Sequence, residues 1–147
     1  MNDIDIRRLG PGDDAIVERA GNLFDKAPIP AATAAFLAAS DHHLFVAFID
    51  GEPAGFVSGV ETIHPDKGTE LFLYELGVDE AFRGRGVGAT LVQALADVAR
   101  DRGCYGMWVL TDHDNEGAIA TYRRAGAGNG SDQLMLEWRF AGEVPVA

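Results

Sequence analysis

A short loop between a predicted strand and a predicted helix contains two arginines and three glycines, in the order Arg83-Gly84-Arg85-Gly86-Val87-Gly88. Glycine lets the backbone approach an anion closely and turn its amides inward. The free N–H groups and the dipole at a helix N-terminus attract negative charge, and arginine adds charge-assisted hydrogen bonds. The loop therefore predicts a pyrophosphate-binding site.

The spacing within this loop separates it from other phosphate-binding motifs. It lacks the Lys-Ser/Thr ending of the P-loop, and it imitates the dinucleotide-binding fingerprint only in part. Arg83, Gly86 and Gly88 fit the pattern Arg-x-x-Gly-x-Gly, and the strand before them ends Leu76-Gly77-Val78. Here the chain resembles the GNAT N-acetyltransferase superfamily, whose acetyl-CoA signature has this form.

A second motif follows the next predicted strand. Asn115, Ala118, Tyr122 and Gly126 match the family's pattern of Asn, a small residue, Tyr and a closing Gly, although Ala127 replaces the usual aromatic residue. The first three are spaced three and four residues apart, so they share one helix face. In the family that face lies against the pantetheine arm and the cofactor sulfur.

The resemblance implies direct transfer of an acetyl group from acetyl-CoA to a primary amine in a ternary complex. The thioester is expected in a gap between two splayed strands, where a backbone N–H of residues 76–78 polarises its carbonyl. Tyr122 is the expected proton donor to the leaving thiolate. The residues expected to bind acetyl-CoA are Leu76, Gly77, Val78, Arg83, Gly84, Arg85, Gly86, Val87, Gly88, Ala89, Thr90, Asn115, Ala118 and Tyr122.

Glu75 is the candidate general base, since it interrupts an otherwise apolar strand. A carboxylate beside an apolar cleft has a raised pKa, as a base acting near neutrality needs. A solvated strand residue or an ion pair is the structural alternative. Four residues are expected to line the acceptor opening with Glu75. For the three carboxylates among them the alternative is ordinary surface charge or, for Asp114, a helix cap. The four residues are Glu70, Tyr74, Asp112 and Asp114.

The tripeptide Tyr74-Glu75-Leu76 bears on the acceptor. It resembles the Tyr-Asp-Leu of the aminoglycoside 3-N-acetyltransferase group, with Glu in place of Asp. That likeness implies a cationic small molecule such as an aminoglycoside, and hence antibiotic resistance. Two alternatives stay open: acetylation of another small amine, an amino acid or a protein N-terminus, and a non-catalytic acyl-CoA-binding sensor or interaction module.

Composition and charge bear on partners and location. A net charge of −11 argues against nucleic acid, which needs a basic face, and is compatible with a cationic substrate. No apolar run approaches the roughly 20 residues of a membrane span, and the N-terminus lacks the apolar core of a signal peptide. We therefore expect a cytoplasmic protein without a membrane partner.

Cysteine and histidine usage adds two further expectations. A single cysteine, Cys104, allows no intrachain disulfide. His42, His43 and His113 lack partners at metal-ligand spacing, so we expect no metal. The apolar stretch Val144-Pro145-Val146 could serve the interface of a homodimer or simply fray.

Periodicity and turn residues predict the elements that position these residues. Predicted strands span residues 4–9, 43–49, 54–60, 70–78, 105–111 and 133–139; predicted helices span 13–24, 31–39, 87–102 and 115–125. Asp50-Gly51 predicts a hairpin turn, and the strand at 105–111 is apolar enough to be covered on both faces. The order predicts a mixed α/β domain of one sheet flanked by helices, spanning residues 1–147. The resemblance adds the GNAT fold, a mostly antiparallel twisted sheet splayed at the cofactor site.

Overall fold

The computed structural model describes residues 3–140. Its elements are β1 (Ile4–Arg8), α1 (Asp14–Arg19), α2 (Pro30–Ala38), β2 (His42–Ile49), β3 (Glu52–His64), β4 (Gly68–Val78), α3 (Val87–Asp101), β5 (Met107–Val109) and α4 (Glu116–Arg124). The predicted order is confirmed through α4. The stretch Val144-Pro145-Val146 lies outside the described residues.

Within residues 3–140 the strands form one sheet in the order β1-β2-β3-β4-β5. β1 to β4 are antiparallel neighbours, whereas β5 runs parallel to β4. The turn between β2 and β3 has φ values of 51° at Asp50 and 78° at Gly51, which is the backbone of a type I′ hairpin. The mostly antiparallel sheet flanked by helices is thus confirmed. No helix among these residues is long and apolar enough to cross a membrane.

Strand β2 is covered on both faces. Its odd-numbered residues from Phe45 onward pack toward α3, and its even-numbered residues from Leu44 onward pack toward α1 and α2. On the α3 side, the buried Leu91 and Leu95 complete a core that also receives Leu71 from β4. The sheet therefore has a hydrophobic core on each side of its first strands.

A buried polar network joins the sheet to the end of α3. His43 is 1% exposed, and its Nδ1 lies 2.6 Å from an Arg8 guanidinium nitrogen. Its Nε2 lies 2.7 Å from the Glu61 carboxylate, which also bonds Arg102. Burial lowers the pKa of His43. Because Arg8 can only donate, the neutral ring carries its proton on Nε2 and donates it to Glu61. β1, β2, β3 and α3 are thereby tied together.

Two predictions of element length are wrong: the first helix ends earlier than predicted, and β5 is shorter than predicted. The first helix stops at Arg19, and a 3-10 turn at Gly21–Leu23 follows, because glycine disfavours continuation of an α-helix. Asp13 does not cap this helix with its side chain, which accepts a hydrogen bond from the Gly10 N–H at 2.8 Å instead. β5 is shorter than predicted, and its Trp108 is exposed rather than covered.

The predicted final strand at residues 133–139 is absent. Residues 127–140 form neither helix nor strand. Alternating apolar side chains indicate that a segment is suited to a sheet, yet a strand exists only where a neighbouring edge accepts its hydrogen bonds. Within residues 3–140 this segment has no such neighbour.

Gly55 permits the close approach of α3 to the sheet, and we predict that Gly55→Ala destabilises the fold by about 1–3 kcal/mol. An added Cβ would lie 2.8 Å from the Gly77 carbonyl oxygen and 3.1 Å from a Val87 methyl. A backbone oxygen cannot rotate aside as a side chain can. Gly106→Ala is the matched control, because nothing lies within 4 Å of its added Cβ. Urea unfolding measures both variants, and equal midpoints would contradict this explanation.

Candidate active site

Strands β4 and β5 separate partway along their length. They pair in parallel only from Leu71 opposite Met107 to Leu73 opposite Val109. β5 ends there, whereas β4 continues to Val78 against β3. Among the described residues, the backbone of β4 from residue 74 onward therefore borders a gap where a fifth strand no longer pairs with it.

An extra residue in β4 stands where the two strands separate. Ser58 of β3 pairs with Glu75 and Gly59 pairs with Leu73, which leaves Tyr74 without an opposite residue. Such a β-bulge shifts the alternation of side chains along the strand. Leu73 before it and Leu76 after it consequently both contact the core beneath α3. Glu75 is left on the opposite face of the sheet, where it lines an open cleft.

The cleft has a volume of about 1760 Å³. Phe72 and Trp108 contribute stacked rings with centroids 4.2 Å apart. Asp25 enters from the segment between α1 and α2, and Tyr122 enters from α4. The cleft thus lies between the first helical segment, the separating strands and the last helix.

Charged side chains of both signs line this cleft. Within residues 3–140 the carboxylates are Asp25, Glu75 and Asp112, and the cationic side chains are Lys26 and Arg123. An adjoining pocket near Asp25 adds the carboxylates of Asp14 and Glu18. The acidic side chains therefore predominate on the side of α1.

Glu75 and Tyr122 bring two protonation sites to the same cleft. Burial raises the pKa of Glu75, and the neighbouring Asp25 carboxylate raises it further. Burial also raises the pKa of the Tyr122 hydroxyl, which therefore keeps its proton at neutral pH. The cleft can accordingly accept a proton on one side chain and donate one from the other.

The loop after β4 has the backbone that its glycines predict. Gly84 and Gly86 have φ values of 80° and 81°, and an added Cβ at either would meet nothing within 4 Å. Their conformation, rather than packing, therefore requires glycine. Gly86 immediately precedes α3, so the first N–H groups of that 15-residue helix open onto the loop. This arrangement fits a phosphate-bearing ligand.

The two arginines of the loop are both exposed. Arg83 donates from Nε to the Val78 carbonyl at 3.3 Å, which ties the loop to the end of β4. The Arg85 guanidinium lies 5.5 Å from the centroid of the Phe82 ring. Each guanidinium retains further N–H donors for an anion.

Gly88 and Asn115 have structural roles besides the binding roles implied by the motifs. A Cβ added at Gly88 would lie 2.9 Å from the Thr121 methyl, so glycine here lets α3 and α4 pack closely. Asn115 caps α4 by accepting the Ala118 N–H at 3.1 Å. Both residues thereby fix the helix that carries Tyr122.

The structure brings some predicted acceptor-side residues together and places others elsewhere. Tyr74 and Asp112 line the cleft with Glu75, and Asp114 is not among its lining residues. Glu70 lies at the start of β4, where hydrogen bonds from His64 at 3.0 Å and the Tyr105 hydroxyl at 2.9 Å lower its pKa. Glu70 is thus engaged outside the cleft.

Asp25 is the cleft carboxylate that sequence analysis does not identify. The sequence shows Asp25 only as an acidic residue in the proline-containing connection between the first two helices, Asp25-Lys26-Ala27-Pro28. Its effect on Glu75 depends on how that connection folds over the sheet, which no local pattern specifies. Among residues 3–140, no group of three or more His, Cys, Asp or Glu side chains could hold a metal ion.

Residues 15–127 match the Acetyltransferase (GNAT) family, and the chain belongs to that family. It is 48% identical over 54 residues to L-2,4-diaminobutyric acid acetyltransferase from Streptomyces coelicolor, covering 36% of this chain and 31% of that protein. It is 35% identical over 97 residues to N-alpha-acetyltransferase RimI from Mycobacterium tuberculosis, covering 66% of this chain and 59% of that protein. The chain thus spans about a third to three fifths of these relatives.

Solved structures reproduce the fold at low sequence identity. An aminoglycoside acetyltransferase from an uncultured soil metagenomic sample, in complex with sisomicin, aligns with a TM-score of 0.85 at 17% identity, over 93% of this chain and 96% of that one. Aminoglycoside N-acetyltransferase AAC(6')-Iy, in complex with CoA, aligns with a TM-score of 0.77 at 22% identity, over 95% and 97%. The predicted GNAT fold is confirmed.

The raised pKa of Glu75 gives a stability prediction with a definite sign. Below the ordinary pKa of 4.5 the carboxyl is protonated in both folded and unfolded chains. As pH rises through the pKa of Glu75 in the folded protein, its ionisation disfavours the folded state. The free energy of unfolding therefore falls over that pH range. We therefore expect Glu75→Gln and wild type to have similar Tm near pH 4, and the variant to have the higher Tm at pH 8.

Thermal unfolding across this pH range measures the effect. Glu52→Gln, which removes an exposed carboxylate on β3, controls for the change in net charge. A Glu75→Gln variant less stable than wild type at pH 8 would instead place Glu75 in a stabilising ion pair.

Proposed function

We propose that this chain is an acetyl-CoA-dependent N-acetyltransferase that acetylates a primary amine by direct transfer in a ternary complex. The acceptor is a cationic small molecule such as an aminoglycoside. The observation that carries the proposal is the pair of half-buried side chains, Glu75 and Tyr122, in a cleft that opens where β4 and β5 separate. Family membership supports the reaction class.

The loop and the exposed backbone of β4 would hold acetyl-CoA, which supplies the acetyl group as a thioester. The amides of residues 84–88, with Arg83 and Arg85, would bind the pyrophosphate. Backbone groups of residues 76–78 on the side away from β3 could hydrogen-bond an extended pantetheine arm as a sheet edge does. Ala89, Thr90, Asn115 and Ala118 complete the proposed binding set through the two helix starts.

The proposed chemistry needs one proton acceptor and one proton donor. Glu75 takes a proton from the attacking amine as the new C–N bond forms and the C–S bond breaks. A backbone N–H of residues 76–78 stabilises the negative charge that develops on the carbonyl oxygen. Tyr122 returns a proton to the departing sulfur, so the products are an amide and a thiol.

The lining of the cleft supports a cationic acceptor. Asp25, Glu75 and Asp112 offer carboxylates to ammonium groups, and Tyr74 and Trp108 offer faces to sugar rings or cations. The net charge of −11 adds a long-range attraction for cations. Two similar proteins also support a cationic acceptor. One is the structural neighbour in complex with sisomicin, and the other is streptothricin acetyltransferase from Streptomyces lavendulae, 34% identical over 88 residues.

Acetylation of a protein N-terminus is the second candidate. It is favoured by the match to the mycobacterial N-alpha-acetyltransferase, which covers 66% of this chain. A sensor or interaction module that binds acyl-CoA without turnover fits less well, because the cleft is open and both proton-transfer residues line it.

The main proposal further includes one domain over residues 1–147, a cytoplasmic location, a role in antibiotic resistance, no metal, nucleic-acid or membrane partner, and a homodimer.

A thiol-release assay with acetyl-CoA tests the reaction and its acceptor. We expect turnover with aminoglycosides and less with polyamines, amino acids or N-terminal peptides. Glu75→Gln should lower kcat by roughly 10²–10⁴-fold because it removes the proton acceptor. Tyr122→Phe should lower kcat by at least about tenfold, and Asp25→Asn should mainly raise KM for the cation.

Glu70→Gln and Tyr105→Phe are matched controls, because both residues lie on or beside the same strands but outside the cleft. Turnover confined to peptides would move the assignment to the second candidate. Tight acetyl-CoA binding without turnover on any amine would refute the enzyme assignment for that panel.

The cofactor site has a test that does not depend on turnover. Arg83→Ala should weaken CoA binding roughly 10–100-fold, the loss expected for hydrogen bonds to a charged group. Arg100→Ala is the control, since that exposed arginine pairs with Asp97 on the far part of α3. Isothermal titration with CoA measures both variants. Equal affinities would remove Arg83 from the proposed pyrophosphate site.

A further inference from the structure

The connecting segment between α1 and α2, residues 20–29, lies over the face of the sheet that carries Glu75. Leu23 and Phe24 pack against the core on that face, and Phe24 and Asp25 line the cleft. Within residues 3–140 no hydrogen bond joins residues 24–28 to the sheet, and the Asp25 carboxylate has no hydrogen-bond or salt-bridge partner. The position of that carboxylate therefore depends on how the connecting segment packs on the sheet.

The Phe24 ring packs the connecting segment onto strand β3. Its centroid lies 4.3 Å from the centroid of the Phe56 ring, and the two rings are tilted by 39°. Only 2% of Phe56 is exposed, so the core holds its ring in place. Aromatic pairs at this separation contribute more than the area that they bury. The contact thus fixes the segment one residue before Asp25.

Gly77 of β4 makes room for the same contact. Phe56 pairs with Gly77 across β3 and β4. A Cβ added at Gly77 would lie 2.7 Å from a carbon of the Phe56 ring and 3.1 Å from the Leu23 carbonyl oxygen. Because position 77 has no side chain, the Phe56 ring and the backbone of the connecting segment can both lie against β4.

The spacing along the two segments then brings Asp25 to Glu75. Glu75 and Gly77 are two residues apart in β4, beyond the bulge, and so lie on the same face of the sheet. Asp25 is likewise two residues beyond Leu23, whose carbonyl borders Gly77. Both carboxylates line the cleft, and the charge of Asp25 adds to burial in raising the pKa of Glu75.

We propose that Phe24 is a positioning residue of the candidate site: its ring, packed on Phe56 beside Gly77, holds the Asp25 carboxylate near Glu75. The negative charge of Asp25 then favours the protonated form of Glu75. A base with a higher proton affinity takes a proton from an ammonium group more readily, so this contact supports transfer near neutral pH. That Glu75 is the base for the acceptor amine rests on the proposed function.

Other titratable or charged groups also line the cleft around Glu75. These groups are Lys26 from the connecting segment, Tyr74 from β4, Asp112 and His113 after β5, and Tyr122 and Arg123 from α4. Besides burial, the influence that raises the pKa of Glu75 is the charge of Asp25. A movement of the connecting segment is therefore expected to act on Glu75 through Asp25.

Titration of the Glu75 carboxyl tests the proposal without turnover. Its ¹³C NMR signal, identified by its absence in Glu75→Gln, gives the pH at which Glu75 ionises. We expect Asp25→Asn to lower this midpoint, because it removes the neighbouring negative charge. Phe24→Ala should lower the midpoint at least about half as much, because Asp25 then loses its fixed position. Phe24→Leu keeps an apolar contact and should retain the midpoint of wild type.

The double variant Phe24→Ala/Asp25→Asn separates positioning from simple hydration of Glu75. If Phe24 acts through Asp25, removing its ring should lower the midpoint no further once residue 25 is uncharged. Phe36→Ala is the matched control, because that ring also lines the cleft but lies on α2, edge-on to His42. It should leave the midpoint unchanged.

Circular dichroism establishes that each variant is folded. Should Phe24→Ala not fold, Gly77→Ala takes its place, because the added methyl displaces the Leu23 backbone from β4 and should lower the midpoint in the same way. An unchanged midpoint in Asp25→Asn or in the folded packing variant would overturn the proposal. An equal shift of the packing variant in the Asp25→Asn background would overturn it as well. The titration needs neither acetyl-CoA nor an acceptor, so failure of the proposed function leaves its result standing.

Discussion

The extra residue at Tyr74 is the feature on which the candidate site depends. It lies where β5 leaves β4, and it changes which face each later residue of β4 occupies. If the same sequence paired without this bulge, strict alternation would put Glu75 in the hydrophobic core beneath α3 and Leu76 in the cleft. The bulge therefore keeps the core apolar on one face and places a carboxylate on the other. Among the described residues, the same separation leaves residues 76–78 without a neighbouring strand on the β5 side.

Packing around α3 couples the two ends of the site. Val87 and Leu91 are buried, which fixes the N-terminus of α3 relative to the sheet and to the loop that precedes it. Gly88 lets Thr121 of α4 approach that first turn, so α4 takes its position from the same helix. Tyr122 neighbours Thr121, and its distance from the loop is therefore set by a helix contact rather than by the loop itself. Gly88 therefore helps to position both the proposed pyrophosphate loop and Tyr122, the proposed proton donor.

Sequence analysis recovered what local patterns encode. The Asp50-Gly51 hairpin, the amphipathic α3 and the left-handed Gly84 and Gly86 all follow from residue chemistry within a few positions. Periodicity does not encode features that depend on contacts between distant segments. Such features are the end of α1, the length of β5 and the position of the Asp25 carboxylate beside Glu75. The buried His43–Glu61 pair was missed for the same reason, because its partners come from different strands. The roles of Glu75 and Tyr122 stay predictions.

The separation of β4 and β5 has a consequence for stability as well as for binding. A strand that ends early opens space for a ligand, but it also leaves an apolar sheet edge beside that space. Residues 133–140 resemble a strand in sequence and have most of their apolar surface in water. Residues 3–140 therefore contain both a sheet edge without a neighbouring strand and a strand-like segment that pairs with no edge.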